Sequence, residues 1–150
     1  MITIPLILKK QIEFEAESVY PNECCGIIFG SIEDGIAGAE EVRRVHSLQT
    51  VVNTFESEER YHRFRIESDT LLCAERSALR RGIAVLGFYH SHPDHNARPS
   101  DYDRIHALPF YSYVIVSVIK KHAQDFRSWQ LSPDRNSFFE EFVKEEETWQ

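Results

Sequence analysis

Cysteine is scarce in this chain. Three thiols, Cys24, Cys25 and Cys73, occur in 150 residues. Their number is odd and two are adjacent, a spacing that bridges poorly, so reduced thiols and a cytoplasmic setting are expected. No apolar run approaches the ~18 residues of a membrane-spanning helix. At the amino terminus Lys9 and Lys10 follow the apolar stretch, the reverse of a secretory signal. Basic charge is also short, with 17 Lys+Arg against 24 Asp+Glu and a net charge of −7. No basic block is present, which argues against non-specific nucleic-acid binding. Glu140, Glu141, Glu145, Glu146 and Glu147 face only Lys144 near the carboxyl end, so much of the excess charge sits there.

What remains has an ordinary globular balance, 42% hydrophobic and 27% charged. A chain of this length buries roughly two-thirds of its unfolded surface and folds without staples. One domain over residues 1–133 is expected, followed by an acidic tail over 134–150, either an amphipathic helix or a frayed end. No repeat, low-complexity segment or dividing linker interrupts it.

Residues 2–8 read as a strand and 9–20 as a loosely periodic helix ended by Pro21-Asn22. Cys25–Gly30 is a short apolar run between turn residues, hence a buried strand, and 40–52 returns beside it after the Glu33-Asp34-Gly35 turn. The polar stretch 54–62 reads as a loop. After it Phe64 and Ile66 alternate with charge. Ser68 is placed to cap a helix over 69–81, with Leu71, Leu72, Ala74, Ala78 and Leu79 on one broad side and Gly82 at its end. Ile83–Tyr89 is nearly all apolar and reads as a central strand. A short helix from Ser100 to His106, a strand over 111–119, a turn at Lys120-Lys121 and a last strand over 126–131 follow. The fold class is α+β, with mixed α/β layers.

The chemistry concentrates after the central strand, in His90-Ser91-His92-Pro93 and the polar segment running to Asp103. On an extended chain residues i and i+2 share a face, so His90 and His92 converge while Ser91 points the other way as structural support. Pro93 stops the ladder. Ser100 is a good helix N-cap, and Asp103 falls in the first turn, able to complete a His, His, carboxylate set. Three protein ligands and an open position is the arrangement of catalytic zinc. The same Ser-x-x-Asp is also a capping-box signature that needs no metal. His95 and His106 are spare candidates, the first better read as solvated and the second as a packing or supporting residue.

This pattern, His-Ser-His-Pro, six residues, Ser, two residues, Asp, with an upstream Glu, resembles the JAMM (MPN-plus) metallopeptidase family. Pro21-Asn22-Glu23-Cys24-Cys25-Gly26 resembles the segment that carries the family's catalytic glutamate. The stretch from Asn53 to Arg63-Phe64-Arg65-Ile66 is similar to the family's middle region, with less specificity. The resemblance spans about residues 5–131. It implies an MPN/JAMM-type, cytidine-deaminase-like mixed β-sheet flanked by helices. It also implies one zinc on His90, His92 and Asp103 and hydrolysis of a peptide or isopeptide bond. Such a zinc lowers the pKa of water to about 7. On the same footing Glu23 is the general base and acid, and Ser100 donates to the developing oxyanion. Thiol catalysis by Cys24 or Cys25 is the competing reading, and their place at the start of an apolar strand argues for inert thiols.

The short connection between residues 119 and 126 leaves no room for a long insertion, so the chain resembles the compact prokaryotic members. That resemblance implies a ubiquitin-like sulfur carrier protein with a Gly-Gly tail as partner. Its tail would pair along a strand edge and be cut after the second glycine, walled by Asn53–Phe64 and residues 94–99. A deubiquitinase-like isopeptidase and a non-catalytic MPN-type binding module are the alternatives. Neither nucleic acid nor membrane is an expected partner, and a homodimer is left open.

Overall fold

The run Ile83–Tyr89 does become a central strand, and it carries the histidines with it. In the computed structural model, which describes residues 1–53 and 66–147, strand β4 (Ala84–Pro93) extends through both His90 and His92. It is preceded by β1 (Ile2–Pro5), α1 (Leu6–Val19), β2 (Cys25–Glu33), β3 (Val42–Val51) and α2 (Ser68–Arg81). After it come α3 (Asp101–His106), β5 (Ser112–Ile119), β6 (His122–Leu131), β7 (Phe138–Glu141) and β8 (Val143–Glu146). The strands form one mixed eight-stranded sheet among the described residues, in the order β7-β6-β5-β4-β2-β3-β1-β8. β4 lies between antiparallel β2 and parallel β5, and its residues from Val85 to Pro93 are all buried.

Each face of the sheet has its own core. On one, Ile12 and Ala16 of α1 pack with Cys24, Ile28, Tyr89 and the β5 valines. On the other, Ala74 and Ala78 of α2 pack with Ile27, Phe29, Val85 and Phe88. Gly26 is required on the first face. A Cβ there would lie 2.1 Å from the Tyr89 ring, and that ring crosses to place its hydroxyl 2.7 Å from Glu15 of α1. Gly82 adopts φ +67° and closes α2 in the left-handed conformation expected of a terminal glycine.

Four local expectations change. The first strand ends at Pro5 and α1 starts at Leu6, because Ile12 and Ala16 bring that segment onto the sheet as a helix. Ser68 is the first residue of α2 and not its cap; Glu67 holds that position without a side-chain bond. Leu72 and Leu79 do not join the buried side of α2 and are 48% and 81% exposed. Leu72 lies two residues, about 200° of helical rotation, from Ala74, and the two alanines let the helix lie close to the sheet. Finally, 126–131 is neither the last strand nor a whole one, since β6 begins at His122. Lys120 and Lys121, at φ +48° and +71°, form the two-residue hairpin turn that joins β5 to β6.

The largest difference lies at the carboxyl end. Residues 138–146 form strands of the same sheet, neither a helix nor a frayed end. β7 pairs with β6, and β8 pairs with β1 at the opposite edge. Only Phe142 separates them, and its carbonyl accepts the Ile2 N–H at 2.9 Å. The sheet therefore curls until its two edges meet at this residue, which satisfies main-chain groups that an open sheet would expose. The segment's own sequence is as compatible with a helix as with a strand. Its choice is dictated by the unpaired edges it covers. No helix among the described residues is long and apolar enough to cross a membrane.

Candidate metal centre

β4 delivers His90 and His92 to the α2 side of the sheet, and both are buried. Ser91 points the other way, where its Oγ accepts the Cys24 N–H at 2.8 Å and fixes the start of β2 against β4. The third residue comes from α3. Ser100 caps that helix: its Oγ accepts the Asp103 N–H at 3.1 Å, and its own N–H donates to Asp103 Oδ2 at 2.8 Å. This reciprocal capping box holds the Asp103 carboxylate over the end of β4. The capping and metal-ligand readings of Ser-x-x-Asp are thus compatible, because the cap aims the carboxylate.

The three side chains meet. His90 Nε2 lies 3.1 Å from His92 Nε2 and 3.3 Å from Asp103 Oδ1, and His92 Nε2 lies 3.2 Å from Asp103 Oδ2. A tetrahedral zinc with bonds of about 2.0–2.1 Å holds its ligand atoms about 3.3 Å apart, so the spacing fits. The donor chemistry fits as well. His92 Nδ1 lies 2.8 Å from the Asn96 carbonyl oxygen. A carbonyl only accepts, so Nδ1 carries the proton and Nε2 presents a lone pair to the centre. Burial is the largest influence on His90 and lowers its pKa despite the opposing pull of Asp103. Burial by itself would raise the Asp103 carboxyl. The imidazoles, His90 ahead of His92, outweigh it and hold the group well below the usual carboxylate range. A divalent cation takes imidazole as the neutral base and a carboxyl as the carboxylate. Among the described residues, this is the group of His, Cys, Asp and Glu side chains able to hold a metal ion.

Glu23 precedes β2. Cys25 is paired with His90, so carrying the register back two residues sets Glu23 opposite His92 on the same face. It is only 6% exposed. Burial, with a further contribution from the Asp103 carboxylate, pushes its pKa up to about 9. The Asn53 side chain donates to its carbonyl oxygen at 3.4 Å. Ser100 is exposed, and with its oxygen used as the cap its hydroxyl hydrogen remains free to donate outward. His95 is exposed and His106 packs its ring 4.3 Å from that of Tyr102; neither enters the ligand group. Burial pushes both Cys24 and Cys25 up to about 12, which removes them as nucleophiles.

Three supporting residues carry no signal in the sequence. The loop after Pro93 is tied to the sheet by Trp129, whose indole N–H donates to the Ala97 carbonyl at 2.9 Å. Ser117 Oγ donates to the His95 carbonyl at 2.5 Å, and the Asp94 side chain accepts the Lys120 N–H at 3.0 Å. Together they set the position of the Asn96 carbonyl that orients His92. The expected wall over Asn53–Phe64 lies, beyond Asn53 itself, outside the described residues, as do Arg63, Phe64 and Arg65.

A sequence profile described as prokaryotic homologues of the JAB domain matches residues 8–132. This chain belongs to that family. Its JAB/MPN fold is shared by a protein of Desulfitobacterium hafniense, DSY2949, which is 27% identical over 99% of this chain and 94% of its own, with a TM-score of 0.79. A protein of Salinibacter ruber is 37% identical over 97% and 92% of the two chains, with a TM-score of 0.69. The JAB1/MPN domain protein AF2198 of Archaeoglobus fulgidus is 20% identical over 98% of each chain and has a TM-score of 0.57, a likeness of fold. No curated protein matches the chain. The His90, His92 and Asp103 group gives this JAB domain a candidate JAMM-type metal site.

Proposed function

We propose that this JAB-domain protein is a zinc metallopeptidase that hydrolyses a peptide bond at the Gly-Gly C-terminus of a ubiquitin-like sulfur carrier protein. The observation that carries the reading is the meeting of His90, His92 and Asp103 within 3.1–3.3 Å, with a buried carboxyl, Glu23, on the same face. A complete ligand set with a protonatable partner is more than a binding module needs. Zinc held there supplies Lewis acidity toward a carbonyl and toward water, and positive charge that draws the Glu23 pKa back down.

The chain's own residues do the rest. Glu23 takes a proton from the attacking water and delivers it to the leaving amine, a two-way role that requires a pKa near the working pH. Ser100 directs its hydroxyl hydrogen at the oxygen that gains charge. His92, locked by Asn96, keeps its lone pair on the centre throughout. The Gly-Gly preference rests on the buried setting of the ligands, where a backbone without side chains can approach closely. The two-residue β5–β6 turn supports a compact member of the family without a long insertion at that point.

The test is a ubiquitin-like carrier extended beyond Gly-Gly, incubated with zinc-loaded protein and read by mass spectrometry. The expected product ends at the second glycine, and Glu23→Gln abolishes it. Cleavage only of a carrier joined to a lysine side chain transfers the protein to the deconjugating class. Cleavage at an unrelated bond overturns the Gly-Gly assignment.

A further inference from the structure

Beside the ligands a cavity of about 550 Å³ opens between β4, α2 and α3. His90 and Asp103 form part of its wall, so whatever enters it lies against the reacting bond. The rest is mainly apolar. Phe88, Tyr113 and Phe138 build a continuous aromatic surface, with ring centroids 5.6 Å apart for the first pair and 6.0 Å for the second. Leu71 of α2 and Leu108 after α3 add to the apolar lining. Among the described residues of the lining, Asp103 is the one carboxylate and His90 and His106 are the basic side chains, with no lysine or arginine. Asp103 lies against His90 and accepts the Ser100 N–H. A charged group brought against this aromatic surface loses hydration. Its volume is that of a small-molecule pocket and accommodates a large side chain.

We infer that this cavity receives the side chain of the residue released from the carrier, and that this residue is apolar or aromatic. The inference rests on the peptidase reading above. The two glycines before the scissile bond have no side chains to fill a pocket touching His90 and Asp103. The residue after the bond is the nearest one that does. An apolar wall of this size then makes the enzyme selective for Gly-Gly-Phe or Gly-Gly-Leu ends over Gly-Gly-Asp or Gly-Gly-Lys ends.

The experiment uses one carrier with Gly-Gly followed by Phe, Leu, Ala, Asp or Lys, and measures kcat/KM for each with the zinc-loaded protein. Phe and Leu are expected to exceed Ala by about 10-fold or more and the charged residues by a larger factor, as burial of an apolar side chain implies. Leu108 is 41% exposed at the cavity wall, where a lysine ammonium can reach water. Leu108→Lys should lower the ratio of cleavage before Phe to cleavage before Asp. An independent readout is titration of the free tripeptides into zinc-loaded Glu23→Gln protein. Gly-Gly-Phe, and not Gly-Gly-Asp, should move the ring signals of Tyr113 and Phe138 in nuclear magnetic resonance spectra. Cleavage after Gly-Gly at equal rates for Phe, Ala and Lys overturns the inference and leaves the peptidase reading standing. Absence of cleavage for every carrier overturns that reading, and the inference with it.

Discussion

The imidazole of His92 donates its Nδ1–H to the main-chain oxygen of Asn96 at 2.8 Å. That bond fixes which ring nitrogen faces the centre. The Asn96 carbonyl is in turn placed by a loop that Trp129 and Ser117 pin to the sheet. Trp129→Phe keeps most of the aromatic bulk and removes the indole donor. It should weaken zinc binding by roughly ten-fold or more, in the range of supporting hydrogen bonds around metal ligands. Competition with a chelator measures the affinity, and the melting temperature of the metal-free protein reports separately any general loss of packing.

Metal content tests the ligand set itself. The purified protein should carry about one zinc per chain, and the His90→Ala, His92→Ala double variant should carry none. Asp103→Ala should lose zinc and also about 1 kcal/mol of stability, because it removes half of the capping box that starts α3. Full zinc retention in the double histidine variant would defeat the assignment.

Catalysis is expected to separate from metal binding. Glu23→Gln should retain fold and zinc and lose ~10²-fold or more of peptidase activity, the scale of general acid–base catalysis. Ser100→Ala should cost a comparable factor and, unlike Glu23→Gln, destabilise the protein by about 1 kcal/mol through the lost cap. Parent-like turnover in Glu23→Gln would remove the central step.

The pH dependence of the metal-free protein follows from Glu23. Burial raises its pKa from 4.5 to about 9, so the folded protein holds a proton that the unfolded chain has released over that window. Where the folded state binds more protons, stability falls as pH rises. The Glu23 contribution is therefore fully present below about pH 4.5 and is lost as pH climbs toward 9. Melting curves in the presence of chelator should show this decline, and Glu23→Gln should flatten it.

Truncation after Ser137 should have an effect out of proportion to the short segment removed. It strips β7 from β6 and β8 from β1, exposing both edges of the sheet at once. Lower melting temperature and concentration-dependent association, read by light scattering, are the expected outcomes. A truncated protein that remains monomeric with parent-like melting would show that the seam is dispensable.

Much of the site is legible in the sequence because its logic is local. The i, i+2 spacing of His90 and His92 puts both on one strand face whatever the strand packs against. Ser100 and Asp103 bond to each other within a single helical turn. The continuous apolar run Ile83–Tyr89 and the glycine at position 82 mark the central strand and the end of α2 for the same reason. Other features depend on partners distant in sequence. Nothing near Trp129 indicates that its N–H holds the loop beside His92, and Leu72 and Leu79 are apolar residues whose exposure is decided by how closely the alanines of α2 approach the sheet. The cavity beside the ligands is assembled from β4, α2, α3, β5 and β7, so its apolar character has no counterpart in any one segment.

The carboxyl end shows the division most plainly. Its aromatic and acidic residues satisfy a helix or a strand about equally, and local preference is too weak to choose. Two sheet edges with unpaired main-chain groups make the choice, because leaving such groups buried and unbonded costs more than the difference in propensity. The sequence by itself determined the candidate ligands and the common face of the two histidines, through spacing along an extended strand and one helical turn. The tertiary structure alone decided the joining of the two sheet edges at Phe142, the support of His92 and the apolar cavity beside the site, because each is a contact between segments that only folding brings together.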